Sequence, residues 1–316
     1  MIAYVTDWRG ERWALPQAER WQMDYTTGVP SDSFLLCCPW EADNPTAPED
    51  WVVFQAEHEG ERVFTGVIDE CEVRVDHTGR TLELSGRGMA ARLLDNEALS
   101  QDYQLATQAD ILRDHVTPYG VEVAPGGTLP PVERFSVSAG SSAWSVVYEF
   151  ARYYGGVSPR FDRRGRLVLS QWQDGQERVV DDSSPVTALA RRDRRYGVLS
   201  QVLVRDRWSG QVQSVSNRDF LERGGQARRV VTMPSRSNYK TMRYNGKFQL
   251  DKSAAELQRL EVTVAQPFCA WPGELVRIQR SGWDWNGRYR AAQVTVGMDQ
   301  TGYWSRLELA RPDVIG

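Results

Sequence analysis

Cys71, Val73 and Val75 alternate with Glu70, Glu72 and Arg74, the period of a strand with one covered face. Asp76-His77-Thr78-Gly79 follows as a turn, with Gly79 able to take positive φ. The chain returns through Arg80 to Ser85 with Leu82 and Leu84 on one face. The stretch Arg62–Glu97 therefore predicts a long β-hairpin, then Gly86-Arg87-Gly88, then a short helix from Met89 to Leu94. The rest of residues 1–100 also reads as β. Strands are expected at Ile2–Thr6, around Trp21, Met23 and Tyr25, at Phe34–Cys38, and at Trp51–Glu57, with a loop at Glu41–Asp50. Six or more strands joined by hairpins suggest a closed or nearly closed barrel.

The period changes after residue 100. Thr107 and Asp110 have capping-box spacing ahead of Ile111, Leu112 and Val116. Ser141 or Ser142 caps a second helix, in which Trp144, Val147, Phe150, Ala151 and Tyr154 recur at helical spacing. Gly155-Gly156 stops it, and a hairpin turning at Arg163-Arg164-Gly165 follows. Residues 191–316 return to β. Strands are expected at Tyr196–Trp208, Leu257–Gln266, Leu275–Arg280, Arg288–Val296 and Tyr303–Ala310. Asn286-Gly287 marks one hairpin and Asp299-Gln300-Thr301-Gly302 another. Residues 237–255 have helical character, weakened by Asn245-Gly246. The fold class expected is α+β, mostly β, with two β-barrel domains at 1–100 and 191–316 and an α+β module at 101–190 between them.

Composition narrows the function. No apolar run approaches the roughly 20 residues of a membrane span, and mean hydropathy is −0.52. The N-terminus lacks the basic flank and apolar core of a signal peptide. Net charge is −4, from 38 basic and 42 acidic residues, which argues against a dedicated nucleic-acid binder. Arg191-Arg192-Asp193-Arg194-Arg195 is the densest charge run. Its reading is a solvated linker, or one that pairs with acids on a neighbouring subunit, in preference to a DNA contact.

The chemistry-bearing residues are sparse. Cys37, Cys38, Cys71 and Cys269 lack metal-ligand spacing and read as reduced, mostly buried thiols. His58, His77 and His115 form no nucleophilic arrangement, and no Walker loop or Gly-x-Ser-x-Gly elbow occurs. Gly86-x-Gly88-x-x-Ala91 matches a dinucleotide fingerprint, but the strand before it is amphipathic and hairpin-paired. That motif needs a buried parallel strand. Glu70 with Glu72, and Asp181 with Asp182, are neighbouring acids that read as solvated rather than catalytic. No catalytic residue, metal or cofactor is expected. Trp271, Trp283, Trp285, Tyr303 and Trp304 are the candidate interface residues, since Trp and Tyr anchor subunit contacts; they could also stack sugars.

The passage TGVIDE, a charged hairpin, then LELSGRGMAARLLDNEA resembles the first barrel of phage-tail baseplate hub proteins. Three later passages continue the likeness in order. They are Ala143-Trp144 through Gly165-Arg166-Leu167, Tyr196-Gly197-Val198-Leu199-Ser200, and Trp271-Pro272-Gly273-Glu274 leading to Gly287-Arg288-Tyr289-Arg290. The resemblance implies that the two barrels are tube-protein-like and that the chain forms a homotrimer. Three chains would then present six barrels in a ring, docking a six-fold tail tube on one side and a three-fold central spike on the other. The setting implied is the tail baseplate of a phage or phage-tail-like bacteriocin, with tube, spike and other baseplate proteins as partners. The chain ends at Gly316 without a needle or lysozyme-like segment, so those are expected as separate proteins. The other classes open to this sequence are a carbohydrate-binding tail module and a tail-associated peptidoglycan hydrolase.

Overall fold

A computed structural model describes residues 1–27, 32–41, 46–77, 79–233, 237–254 and 257–312. Residues 42–45 of the predicted Glu41–Asp50 loop, Thr78 of the hairpin turn and residue 255 of the predicted helix lie outside them. The strands of the first part are β1 (Ile2–Asp7), β2 (Arg12–Ala14), β3 (Arg20–Thr26), β4 (Ser33–Pro39), β5 (Trp51–His58), β6 (Glu61–Asp76) and β7 (Gly79–Gly88). α1 (Ala91–Leu94) follows, then β8 (Gln101–Ala106), α2 (Gln108–His115), β9 (Val132–Val137) and α3 (Ala143–Tyr148), which continues as a π-helical turn over Glu149–Tyr154. Next come β10 (Arg160–Phe161), β11 (Leu167–Val168), β12 (Arg178–Asp181), β13 (Val186–Asp193), β14 (Gln201–Asp206), β15 (Val212–Ser216), α4 (Arg218–Glu222), β16 (Arg228–Met233) and α5 (Tyr239–Ala254). The last strands are β17 (Gln258–Val264), β18 (Leu275–Gln279), β19 (Gly287–Asp299) and β20 (Gly302–Ala310).

The mostly-β class is as expected; the two separate closed barrels are not. The described strands from both ends of the chain form one 13-stranded sheet. A barrel closes when its own edge strands find each other. Here β3 pairs instead with β19, from the far end of the sequence. The expected second barrel is also divided, because β15-β14-β16 form a separate three-stranded sheet.

Within the large sheet one path occurs twice. It runs β3-β4-β7-β6-β5-β1 in the first part and β13-β17-β20-β19-β18-β12 in the second, with β2 added outside β1. The two differ at their ends, since β1 is antiparallel to β5 and β12 is parallel to β18. One apolar core serves both units, with Val5, Trp21, Met23, Phe54 and Leu84 from the first and Val262, Val294, Val296 and Leu309 from the second. Phe34 stacks on Phe54 with ring centroids 3.9 Å apart. Gly86 has no room for a side chain there: a Cβ would strike the Val67 carbonyl and, at 2.7 Å, the Phe34 ring. The glycine that opens the nucleotide-like motif is a packing glycine on a strand antiparallel to both neighbours.

A second core joins Leu93, Ile111, Phe135, Trp144, Val147, Phe150 and Leu167. Thr107 and Asp110 form the expected capping box, and Ser142 caps α3. Trp144 is a core residue, as its place on the apolar stripe indicates. The third core sets α5 on β14 and β15 through Val202, Val204, Met242 and Leu250. Gly246, which weakens the helix in the sequence, lets the helix approach, because a Cβ would lie 2.7 Å from Val215. Tyr244 donates to the Gly156 carbonyl at 2.9 Å, and the buried Arg152 guanidinium lies 3.3 Å from the Phe248 ring centre. These contacts fasten α5 to the π-helical turn.

Candidate assembly site

The strand path supplies one completed junction and, besides the outer edges of β2 and β12, two further open edges among the described residues. In the junction, β3 and β19 pair antiparallel from Gln293↔Thr26 to Met298↔Trp21. Thr295 donates through its hydroxyl to Asp24 at 2.7 Å. Gly297 leaves space that a side chain would take from the Trp304 ring, 2.5 Å from a Cβ there, and from the Trp21 carbonyl at 3.0 Å. These two are β13, paired only with β17, and the outer part of β6, where Glu70–Asp76 are paired only with β7. Unpaired strand edges are templates for another chain.

The β6 edge revises the expected burial of the hairpin. Val73 and Val75 lie on the alternating apolar face but are 38% and 71% exposed. Their face is the one on which Leu82 and Leu84 of β7 are fully buried, so alternation here carries an apolar face past the rim of the core to an open edge. Glu70, Glu72 and Asp76 are exposed on the same strand. The basic run is not a linker throughout: Arg191, Arg192 and Asp193 are the end of β13. The signal for that strand, Val186 to Ala190, is short and weakly apolar, and the arginines obscure it.

The five aromatic candidates do not form one patch. Trp271 stacks on Phe268 at 5.3 Å, meets Tyr25 edge-on and carries the Arg163 guanidinium 4.4 Å from its ring centre. Tyr303 neighbours Trp21 and His58. Trp304 donates to Asp299 at 3.2 Å across the hairpin end. Trp283 and Trp285 pack against each other at 4.7 Å, and Arg191 of β13 lies 4.9 Å from the Trp285 ring centre. Only this last pair adjoins an open edge. A cleft of about 220 Å³ lies between the large sheet and the second core, lined by Tyr25, Asp32, Arg160, Arg163, Trp172 and Trp271. Its tryptophans are already stacked, since Arg160 sits 4.0 Å from the Trp172 ring centre.

Other singled-out residues have structural duties. Arg87 forks between Asp69 at 2.7 Å and Asp95 at 2.8 Å, tying the hairpin base to α1. Its guanidinium holds the Asp95 carboxyl below its usual range. Asp181 accepts from Ser183, and Asp182 from the backbone of Ser281 at 2.9 Å. Arg290 is buried and donates to Asp174 at 2.6 Å and to the Gly273 carbonyl at 2.8 Å. The passages around Gly273 and Arg290 are thus two sides of one contact. Cys71 is half-buried, and burial pushes its thiol up to about 11, so it stays protonated at neutral pH. Among the described residues no helix is long and apolar enough to cross a membrane.

Residues 90–171 match the family model described as baseplate hub protein gp44-like, second domain. A prophage MuSo2 43 kDa tail protein from Shewanella oneidensis matches in structure over 100% of both chains, with TM-score 0.79 and 17% identity. The chain has the fold of a tail protein. A tail protein from Neisseria meningitidis MC58 gives TM-score 0.77 at 16% identity, over 99% of this chain and 97% of that one. An E. coli type VI secretion system component, described as structurally similar to T4 bacteriophage tail proteins gp27 and gp5, gives TM-score 0.60 at 12% identity. It is matched over 99% of this chain and 80% of its own. No curated protein sequence matches the chain.

Proposed function

We propose that this chain is the structural baseplate hub of a phage-like or type VI-like injection apparatus. Three copies form a ring with pseudo-six-fold symmetry, joining the tail tube to the central spike. Its partners are the tube, the spike and neighbouring baseplate proteins, and its place is the tail of the particle. Its work is symmetry matching through packed β surfaces, with no bond-making step. The observation that carries this reading is the strand path that occurs twice in one polypeptide and is joined edge to edge. Two like units per chain let a triplet present six. The hub second-domain match and the tail-protein fold support it. Trp283 and Trp285, beside the β13 edge, are the aromatics best placed to enter a subunit contact.

The test is native mass measurement of the purified protein, followed by electron microscopy of the particle viewed down its axis. The expected result is a mass of three chains and a ring of six similar lobes. A single-chain mass at all concentrations, or a ring whose lobes fall into three without a six-fold likeness, would overturn it.

A further inference from the structure

The repeat extends to individual residues. The sequences linking β6 to β7 and β19 to β20 are Asp76-His77-Thr78-Gly79 and Asp299-Gln300-Thr301-Gly302. Each ladder shifts register at the same place, between Ile68 and Glu70 in one and between Ala291 and Gln293 in the other. Counting from those landmarks, Glu70 answers to Gln293, Glu72 to Thr295 and Val75 to Met298. The neighbouring ladders extend the match. Leu84 pairs with Leu36 and that with Trp21; Leu307 pairs with Val262 and that with Leu189. Trp21 therefore answers to Leu189, Asp24 to Arg192 and Thr26 to Arg194.

In the first unit the strand that answers to β13 is β3, and β3 is bonded to β19, the strand that answers to β6. The open edges of β13 and β6 are thus the two halves of a second such junction, and they lie on opposite units of one chain. We propose that β13 of one copy adds antiparallel to residues 70–75 of β6 in a second copy, in the register of the β3–β19 junction. This rests on the trimeric reading above and gives it its contact. Transferred to that register, Glu70 faces Arg194, Glu72 faces Arg192 and Val75 faces Leu189. Two opposite-charge pairs fall on one face of the new ladder, where such cross-strand pairs are favourable. The Glu72–Arg192 pair stands where Thr295 and Asp24 are hydrogen-bonded inside the chain. Neither Glu70 nor Arg192 makes an ion pair among the described residues. The contact is head-to-tail, so it closes into a ring when its rotation divides a full turn. Three copies would alternate internal and external junctions of one kind.

The test uses the full-length protein and native mass spectrometry over a concentration series. E70R/E72R and R192E/R194E should each raise the concentration at which trimers form by at least about tenfold, since like charges then face each other. The variant with all four substitutions should bring it back to within a few-fold of wild type. A disulfide trap with V75C/L189C gives a second readout. Oxidation should yield covalent trimers, and neither single variant should do so. Trimers indifferent to both reversals, or a fourfold variant that melts like wild type without recovering, would overturn the strand pairing while leaving the trimer standing. Absence of the covalent trimer would likewise overturn it. Wild type that never exceeds one chain would remove the trimeric reading itself.

Discussion

The two strand units follow one path, yet their hairpins have opposite surroundings. In the second unit β3 lies along β19, and Val294 and Val296 are fully buried. In the first unit no described strand other than β7 pairs with the outer half of β6, and Val73 is 38% exposed. The contrast is sharpest at Gly297 and its counterpart Arg74. The covered position can hold no side chain, while the open one carries an exposed arginine that pairs with Glu72 at 2.9 Å. Whether a neighbouring strand is already in place decides which residues the hairpin can accept.

The comparison is best broken by removing one member of each matched pair. Folding should be measured by urea denaturation in the R192E/R194E background, so that unfolding reports single chains. Trp21→Ala has the largest expected effect. Trp21 is 1% exposed and stacks on Phe268 at 5.7 Å, so its loss should cost about 3–5 kcal/mol. Leu189→Ala, at the matching place on the open edge, should cost less than about 1 kcal/mol. Equal losses would mean that β13 is already covered in the single chain. Next is Gly297→Arg, which forces a side chain between the Trp304 ring and the Trp21 carbonyl and should cost about 1–3 kcal/mol. Arg74→Gly should stay within about 1 kcal/mol of its parent, the usual penalty for glycine in a strand.

These pairs also show what the sequence could reveal. Alternation and turn residues made the hairpins legible, and Thr107, Asp110 and Ser142 announced the helices. Asn286 was a hairpin signal for a different reason from the one assumed: its side chain bonds both the N–H and the carbonyl of Arg280, closing a longer loop. The β3–β19 junction was not legible, because pairing across such a sequence distance leaves no local pattern. Nor was the parallel pairing of β12 with β18. Alternation at Cys71, Val73 and Val75 did not show where along the strand the core ends: Cys71 packs against it, while Val75 is 71% exposed. The aromatic candidates were gathered by sequence proximity, which sheet geometry divides. The repeat itself was present in the two Asp-x-Thr-Gly turns, but only the matching ladders give them a common register.

A smaller effect is expected at the polar pair in the junction. Thr295→Val removes the hydroxyl that donates to Asp24 at 2.7 Å, and should cost about 1–2 kcal/mol. Glu72→Gln, at the matching place, should leave the single chain within about 0.5 kcal/mol and act on trimer formation instead. A Glu72→Gln loss as large as that of Thr295→Val would show that Glu72 serves the fold of its own chain.

A separate test concerns the corner between β3 and β4, where Asp32 stands at the place that Gln258 takes in the second unit. Asp32 accepts from the Thr26 N–H at 2.9 Å. Burial pushes its carboxyl up to about 7, against the pull of the Thr26 hydrogen bonds. The unfolded chain releases this proton near its usual value of 3.8, so between there and about pH 7 the folded state holds more protons. This residue's contribution to stability therefore falls as pH rises through that window. Asp32→Asn keeps the acceptor and removes the titration, and the neutral amide of Gln258 shows that the ladder accepts an uncharged residue there. From pH 4.5 to pH 8 the melting temperature of wild type should fall relative to the variant by about 5 °C. Parallel melting curves across the range would mean that Asp32 is as well solvated in the fold as outside it, and that the corner is not held shut by its proton.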